Sequence, residues 1–260
     1  MGEAIFLGKF ESYLECHQKC SAKNEESGST QFPKDIWRQR QLQEFDKQRT
    51  GQYNRSETIS NFLKIDTFYN ILDFGGGSGW LFDRIQSVYA GRFQYYLLET
   101  AESLEVFEDI NNPRAALVNF TATSLDQFSI PNLSVGENIL YINSVLQYIE
   151  DPIKQIEKLL NIYPANTIIF DDLVNFESDD FWSCQRYYDH LVPYHFLNLS
   201  DFIDSVSRLG FHLIRKVDYE PVFSTGWDCR VDNFGESIFP DRPKSLVFAH
   251  ESVNNPKQGK

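Results

Sequence analysis

Basic residues are scarce in this chain and nowhere form a run. Lys and Arg number 24 against 37 Asp and Glu, for a net charge of −13. Neutralising a phosphate backbone needs clustered positive charge, so a nucleic-acid partner is not expected. Long apolar runs are missing as well. No stretch approaches the roughly 18 residues that a membrane-spanning helix requires. The opening Met-Gly-Glu-Ala-Ile-Phe lacks the basic n-region of an export signal, and Phe6 stands where a myristoylation motif wants Ser or Thr. The expectation is a cytoplasmic chain with no membrane insertion. Cysteine is sparse, four in 260 residues, which suits a reducing compartment. Cys16, His17 and Cys20 sketch a metal site or, more simply, one helix face; Cys184 and Cys229 offer no paired C-x-x-C partner, so no metal is expected.

What is present is a core. The chain is 42% hydrophobic and 15% aromatic, enough for one α/β domain with a small appended segment. Its most informative stretch is Ile71-Leu-Asp-Phe-Gly-Gly-Gly-Ser-Gly-Trp-Leu-Phe82. An apolar strand leads into Asp73, the glycines Gly75, Gly76, Gly77 and Gly79 follow, and Trp80, Leu81, Phe82 and Ile85 open a helix. Such a turn lets a backbone approach a nucleotide closely. A dinucleotide fingerprint needs G-x-G-x-x-G. Counted from Gly75 its last position is Trp80, and counted from Gly77 it is Phe82, so an oxidoreductase is not expected. The pattern present is D-x-G-x-G-x-G. It resembles motif I of the class I S-adenosylmethionine-dependent methyltransferases.

Phe93-Gln-Tyr-Tyr-Leu-Leu-Glu99 reads as the next strand and ends in an acid. A carboxylate about 20 residues beyond a glycine loop is placed to grip the ribose hydroxyls of an adenosine ligand. Strand and helix signals then alternate, as in a parallel sheet with helical crossovers. Strands are expected at 115–120, 138–142, 167–170, 212–219 and 245–250, with helices from Asp151-Pro152 to Leu160 and from a Ser200 cap to Gly210. The first 60 residues carry helical periodicity instead, with helices around 10–22, from an Asp35 cap through Phe45, and near Glu57 to Leu63, separated by a polar loop over 23–34. The organisation expected is a helical cap over 1–60, a cofactor-binding domain over 61–250 and a disordered tail over 251–260.

Four segments carry a wider resemblance: Gly8-Lys-Phe-Glu-Ser-Tyr13, Leu72-Asp-Phe-Gly-Gly76, Asn143-Ser-Val-Leu-Gln-Tyr-Ile-Glu-Asp151 and Phe202-Ile-Asp-Ser-Val-Ser-Arg-Leu-Gly-Phe211. Together they resemble a family of bacterial methyltransferases associated with surface-polysaccharide biosynthesis, over most of residues 8–225. That family tends to carry an Asp-Arg-Thr-like segment after its fifth strand, where this chain has Asp171-Asp172-Leu-Val-Asn. The resemblance implies a Rossmann-like fold with a seven-stranded, mostly parallel sheet, helices on both faces, and S-adenosylmethionine as cofactor. It implies little about the acceptor.

Methyl transfer is an in-line displacement in which positioning does much of the work. Ligands of such sheets sit outside the carboxyl ends of the strands. Asp73 is expected to orient the loop, with Gly75, Gly76, Gly77 and Gly79 lining the methionine tail. Glu99 takes the ribose, Ser124 or Asp126 the adenine amino group, and Asn143 and Ser144 the point where donor and acceptor meet. Each of these polar residues has a plain alternative as a cap or turn residue. A sugar hydroxyl needs a general base, for which His195 and His190 are the candidates, in a loop that Pro193 favours, with Asp171 and Asp172 as rivals or as ligands of Mg²⁺. A carboxylate or phosphate oxygen as acceptor would need no base, only Arg186 or Arg230. Phe181, Trp182, Tyr187, Tyr188 and Tyr194 either stack on a sugar or form core. The expected function is O-methylation of a sugar or glycan precursor, the alternative a catalytically silent nucleotide-binding protein in an assembly.

Overall fold

A computed structural model describes residues 5–29, 34–35, 38–39, 42–43, 57–101, 103–105, 120–125, 127–129, 133–176, 179–219 and 230–251. At its centre β2 (Tyr69–Phe74) is buried along its whole length, as the middle strand of a two-sided parallel sheet must be. It is flanked by β3 (Phe93–Glu99) and β5 (Glu137–Asn143), both parallel to it. Beyond β3 lies β4 (Phe120–Ser124), and beyond β5 lies β6 (Thr167–Leu173), again parallel. Then β13 (Lys244–His250) runs antiparallel to β6 and pairs with β10 (Phe211–Asp218). The sheet has seven strands in the order β10-β13-β6-β5-β2-β3-β4. The order reverses at β2, so β2 and β5 flank the switch point, where open α/β sheets bind ligands.

Alternate residues of each strand face opposite sides, and both sides are covered. On one, Ile71, Tyr95, Leu97, Ile139 and Tyr141 meet Leu81, Phe82 and Ile85 of α3 (Trp80–Val88), with Ile59 of α2 (Glu57–Phe62). On the other, Leu72, Phe74, Leu98, Leu140, Ile142 and Phe170 meet Ile156 and Leu159 of α4 (Pro152–Ile162) and Phe202 and Val206 of α5 (Leu199–Arg208). Asp151 caps α4 through the amide of Lys154, with Pro152 in the first turn. Asn198, not Ser200, caps α5, accepting from Asp201 N; Ser200 lies one residue inside the helix. Gly210 ends it at φ 88°. No described helix is long and apolar enough to cross a membrane.

The expected strands at 138–142, 167–170, 212–219 and 245–250 are all present. The strand expected at 115–120 runs on through Thr121 to Ser124, while 115–119 lie outside the described residues. So do most of the expected Asp35 helix, Asp126, Cys229 and all of the tail beyond Glu251. The larger difference is a second sheet, which periodicity did not suggest. Its order is β12-β11-β1-β8-β9-β7, with β1 (Phe6–Phe10), β7 (Asn175–Phe176), β8 (Phe181–Tyr187), β9 (His190–Asn198), β11 (Val231–Asn233) and β12 (Glu236–Ile238). The N-terminal segment is therefore not helical throughout. The 181–195 stretch is not a loop but a β8–β9 hairpin in antiparallel register from Phe181↔Phe196 to Tyr187↔His190. Pro193 sits in β9 where, among the described residues, no strand pairs on its outer side, since β7 pairs only at Leu197 and Asn198, and a strand edge tolerates proline.

Helix α1 (Tyr13–Ser27) lies on this second sheet. It runs through the polar stretch expected as a loop from Lys23 because Asn24 is held tightly: its side chain donates to Leu191 O at 3.0 Å and accepts from Leu191 N at 2.8 Å. The second sheet grows out of the first. β7 follows β6 after one residue, and β9 runs directly into α5. It therefore stands at the carboxyl ends of β5 and β6. Contact there is made by a 3₁₀ turn, Leu146–Tyr148, just past β5: the Tyr148 hydroxyl donates to Gln185 at 2.9 Å, and its ring meets Tyr194 edge-on at 5.4 Å.

Candidate functional site

Three glycines of the loop after β2 adopt left-handed backbone angles, Gly75 at φ 70°, Gly77 at 56° and Gly79 at 67°. Only glycine does this without strain. The turn is stitched to the neighbouring strand by Gly75 N to Leu98 O at 2.9 Å and closed by Gly79 N to Gly76 O at 2.9 Å. Side chains are excluded from below as well. A Cβ at Gly75 would stand 2.7 Å from Val145, and one at Gly76 would stand 2.1 Å from the Asp73 carboxylate. Asp73 is thus tucked directly under the loop. It accepts from the Tyr95 hydroxyl, and its Oδ1 has no partner among the described residues. Burial pushes its pKa up to about 7, against the opposing Tyr95 bond, and the Glu99 charge adds to the rise.

Glu99 closes the rim. Its Oε1 accepts from Gly77 N at 2.7 Å and its Oε2 from Thr100 N at 3.0 Å. Burial raises its pKa, and these amide bonds oppose the rise. Ser124 is the register partner of Glu99 on β4 and is buried beside it. Across the switch point, Asn143 donates to the Tyr141 hydroxyl at 2.9 Å. Ser144 follows at φ 54°, its amide donating to Asp171 O and its hydroxyl to Asp172 Oδ2 at 2.7 Å. Asp172 is itself left-handed, at φ 53°. Two non-glycine residues in this conformation, bonded to each other beside a switch point, are the kind of strained pair that binding sites hold. Neither strain nor pairing has a sequence signature.

The expected cofactor residues, Asp73 through Ser144, therefore gather around one crevice at the carboxyl ends of β2 to β5. Of the candidate bases, Asp171 and Asp172 stand beside Asn143 and Ser144 at the end of β6, and the two histidines do not. Asp171 is buried, accepting from Ser245 Oγ at 2.6 Å and the Tyr141 hydroxyl at 2.9 Å; burial raises it to about 6 against these bonds. It and Asp172 reach different partners, so the pair is not arranged as a shared metal site. His190, at the start of β9, contacts Asn24 and Ser29 at the end of α1. His195 is buried, stacked on Trp182 at 4.2 Å, with Nε2 2.6 Å from Asp180 and Nδ1 without a partner among the described residues. His195 faces α1 from within the hairpin and His190 reaches the end of α1 from the tip of β9, whereas Tyr194 and Gln185, on the face opposite His195, are the ones that meet the turn past β5. Phe181, Trp182 and Tyr194 are buried core residues, while Tyr188 is exposed. The unforeseen members of the site are Tyr95, Tyr141 and Val145, whose roles depend on contacts made across strands.

No protein-family model matches the chain, and no curated protein matches it by sequence. Its shape does match solved structures. With the methyltransferase-like protein that partners the Trm112 methyltransferase activator of Haloferax volcanii it shares 12% identity, over 83% of this chain and 94% of that one, at a TM-score of 0.52. A Listeria monocytogenes protein assigned as an S-adenosylmethionine-dependent methyltransferase matches at 12% identity, 76% and 98% coverage, and a TM-score of 0.50. The chain also aligns with a pericyclic reaction enzyme, at 12% identity, 77% coverage and a TM-score of 0.48, spanning 48% of that enzyme's length. The fold is that of the class I S-adenosylmethionine-dependent methyltransferases.

Proposed function

We propose that this chain is an S-adenosylmethionine-dependent methyltransferase acting on a hydroxyl oxygen of a sugar or small glycan precursor, in the cytoplasm. The observation that carries the reading is the glycine loop at the switch point with Glu99 at its rim. The residues present suit such a cofactor. Three left-handed glycines leave the floor of the crevice free of side chains, Asp73 keeps one buried oxygen without a donor among the described residues, and Glu99 offers a carboxylate beside the loop amides. In this reading the glycines take the amino-acid tail, Glu99 the ribose hydroxyls, Ser124 the adenine amino group, and Asn143 and Ser144 the region of the reacting carbon. When bound, the cofactor supplies an activated methyl group on sulfur.

The chain's own part is to hold the acceptor oxygen in line and to take its proton. The second sheet, standing past β5 and β6, walls the acceptor side. For the base we favour Asp172 over His195, His190 and Asp171, because it is the carboxylate joined to Ser144 at the crevice. The negative net charge suits a small acceptor better than RNA or DNA.

A turnover assay with labelled cofactor against a panel of sugars and sugar nucleotides tests this. Asp172→Asn is expected to lower kcat at least 100-fold with cofactor affinity within threefold of wild type, and His195→Ala to leave kcat within tenfold. The opposite ranking returns the role to His195. Cofactor binding with no transfer to any acceptor favours a catalytically silent protein.

A further inference from the structure

Three cysteines from two distant parts of the chain converge. Cys16 and Cys20 are one helical turn apart on α1, and Cys184 rises to meet them from β8. All three are buried, and their sulfur atoms all lie within 4.8 Å of one another. Cys16 Sγ is 3.9 Å from Cys184 Sγ, and Cys20 Sγ is 2.8 Å from it. The walls around them are apolar: Phe10, Trp182, Leu191, Leu7 and Tyr13. Lys19 and Lys23 of α1 lend positive charge to the cluster. His17, though next in sequence to Cys16, is turned to the ring of Tyr13.

We infer that Cys16, Cys20 and Cys184 form a three-thiolate site for a thiophilic metal ion of the Zn²⁺ type, which staples α1 to the second sheet. Thiolate sulfur is the donor such ions select. With metal–sulfur bonds of about 2.3 Å, sulfurs around one ion stand roughly 4 Å apart. Cys16 and Cys184 already have that separation, and the close Cys20–Cys184 contact, tighter than two thiols prefer, needs to open by roughly 1 Å. Each thiol that ligates gives its proton to solvent, and the two lysines offset the charge that accumulates. The sequence hid the site because Cys184 has no C-x-x-C spacing to announce it. The fold supplies the partners that spacing does not.

The site is independent of the proposed methyl transfer and is tested apart from it. Full-length protein, reduced and freed of metal, is titrated with Zn²⁺ in competition with a chromophoric chelator, and with Cd²⁺ while thiolate-to-metal absorption is followed in the ultraviolet. One equivalent of Zn²⁺ held against the chelator and a Cd²⁺ band scaled to three thiolates are expected. Cys184→Ala should weaken Zn²⁺ binding at least 100-fold, and Cys229→Ala should leave it unchanged. Should Cys184→Ala fail to fold, the stoichiometry and band intensity of the wild-type protein decide alone. No Zn²⁺ retention by reduced wild-type protein, or retention unaffected by Cys184→Ala, overturns the inference. So does unreduced protein lighter by two hydrogens through a Cys20–Cys184 link that binds no metal after reduction.

Discussion

Asp73 shows how a single side chain can couple fold to site. The glycine loop closes over it, Tyr95 donates to it from β3, and no water-exposed surface remains to solvate its charge. Its pKa is raised to about 7, and that of Asp171 to about 6. Unfolded carboxylates release their protons near pH 4. Between that value and the folded values, the native chain holds protons that the unfolded chain has lost. Stability from these two groups is therefore full below about pH 4 and declines as pH rises toward 7. Asp73→Asn removes one of the two. Thermal unfolding followed from pH 5 to pH 7.5 should fall less steeply in this variant than in wild type, and matching slopes would show that Asp73 is not proton-linked to folding.

At the scale of elements, the sequence was most legible where a strand is central. Tyr69–Phe74, Glu137–Asn143 and Lys244–His250 are nearly continuous apolar runs because both their faces are covered. Signals failed at the periphery. Phe6 and Phe10 are spaced four apart, which suits a helix turn, yet both pair with β8 in a strand whose register shifts between Leu7 and Phe10, so Phe6 packs with Tyr194 and Phe196 and Phe10 with Trp182. Pro193 argued for a loop, yet the edge of β9 accommodates it. Asn24 sits in a polar stretch, yet its two bonds to Leu191 draw α1 onward to Ser27. Asn24→Ala leaves the amide and carbonyl of Leu191 without these partners, at a cost of about 2 kcal/mol. Hydrogen exchange should then quicken in α1 and the start of β9 while α3 and β2 stay protected. Uniform quickening would mean that α1 is not a separate unit.

The molecule as a whole joins a sheet that was legible to one that was not. The glycine loop and Glu99 follow from local pattern, a run of glycines after one strand and an acid at the end of the next, whereas the strand order that reverses at β2 does not. The left-handed pair Ser144–Asp172, the Asp180–His195 contact and the three-cysteine cluster arise only when segments more than ten residues apart are brought together, and no window of sequence reports that. Calorimetric titration with S-adenosylhomocysteine, run beside NAD and repeated on Glu99→Ala, addresses the central claim. Micromolar binding of the first, none of NAD, and at least tenfold weaker binding by Glu99→Ala are predicted. Absence of S-adenosylhomocysteine binding, or equal binding by the variant, would contradict the assignment of this crevice as the cofactor site.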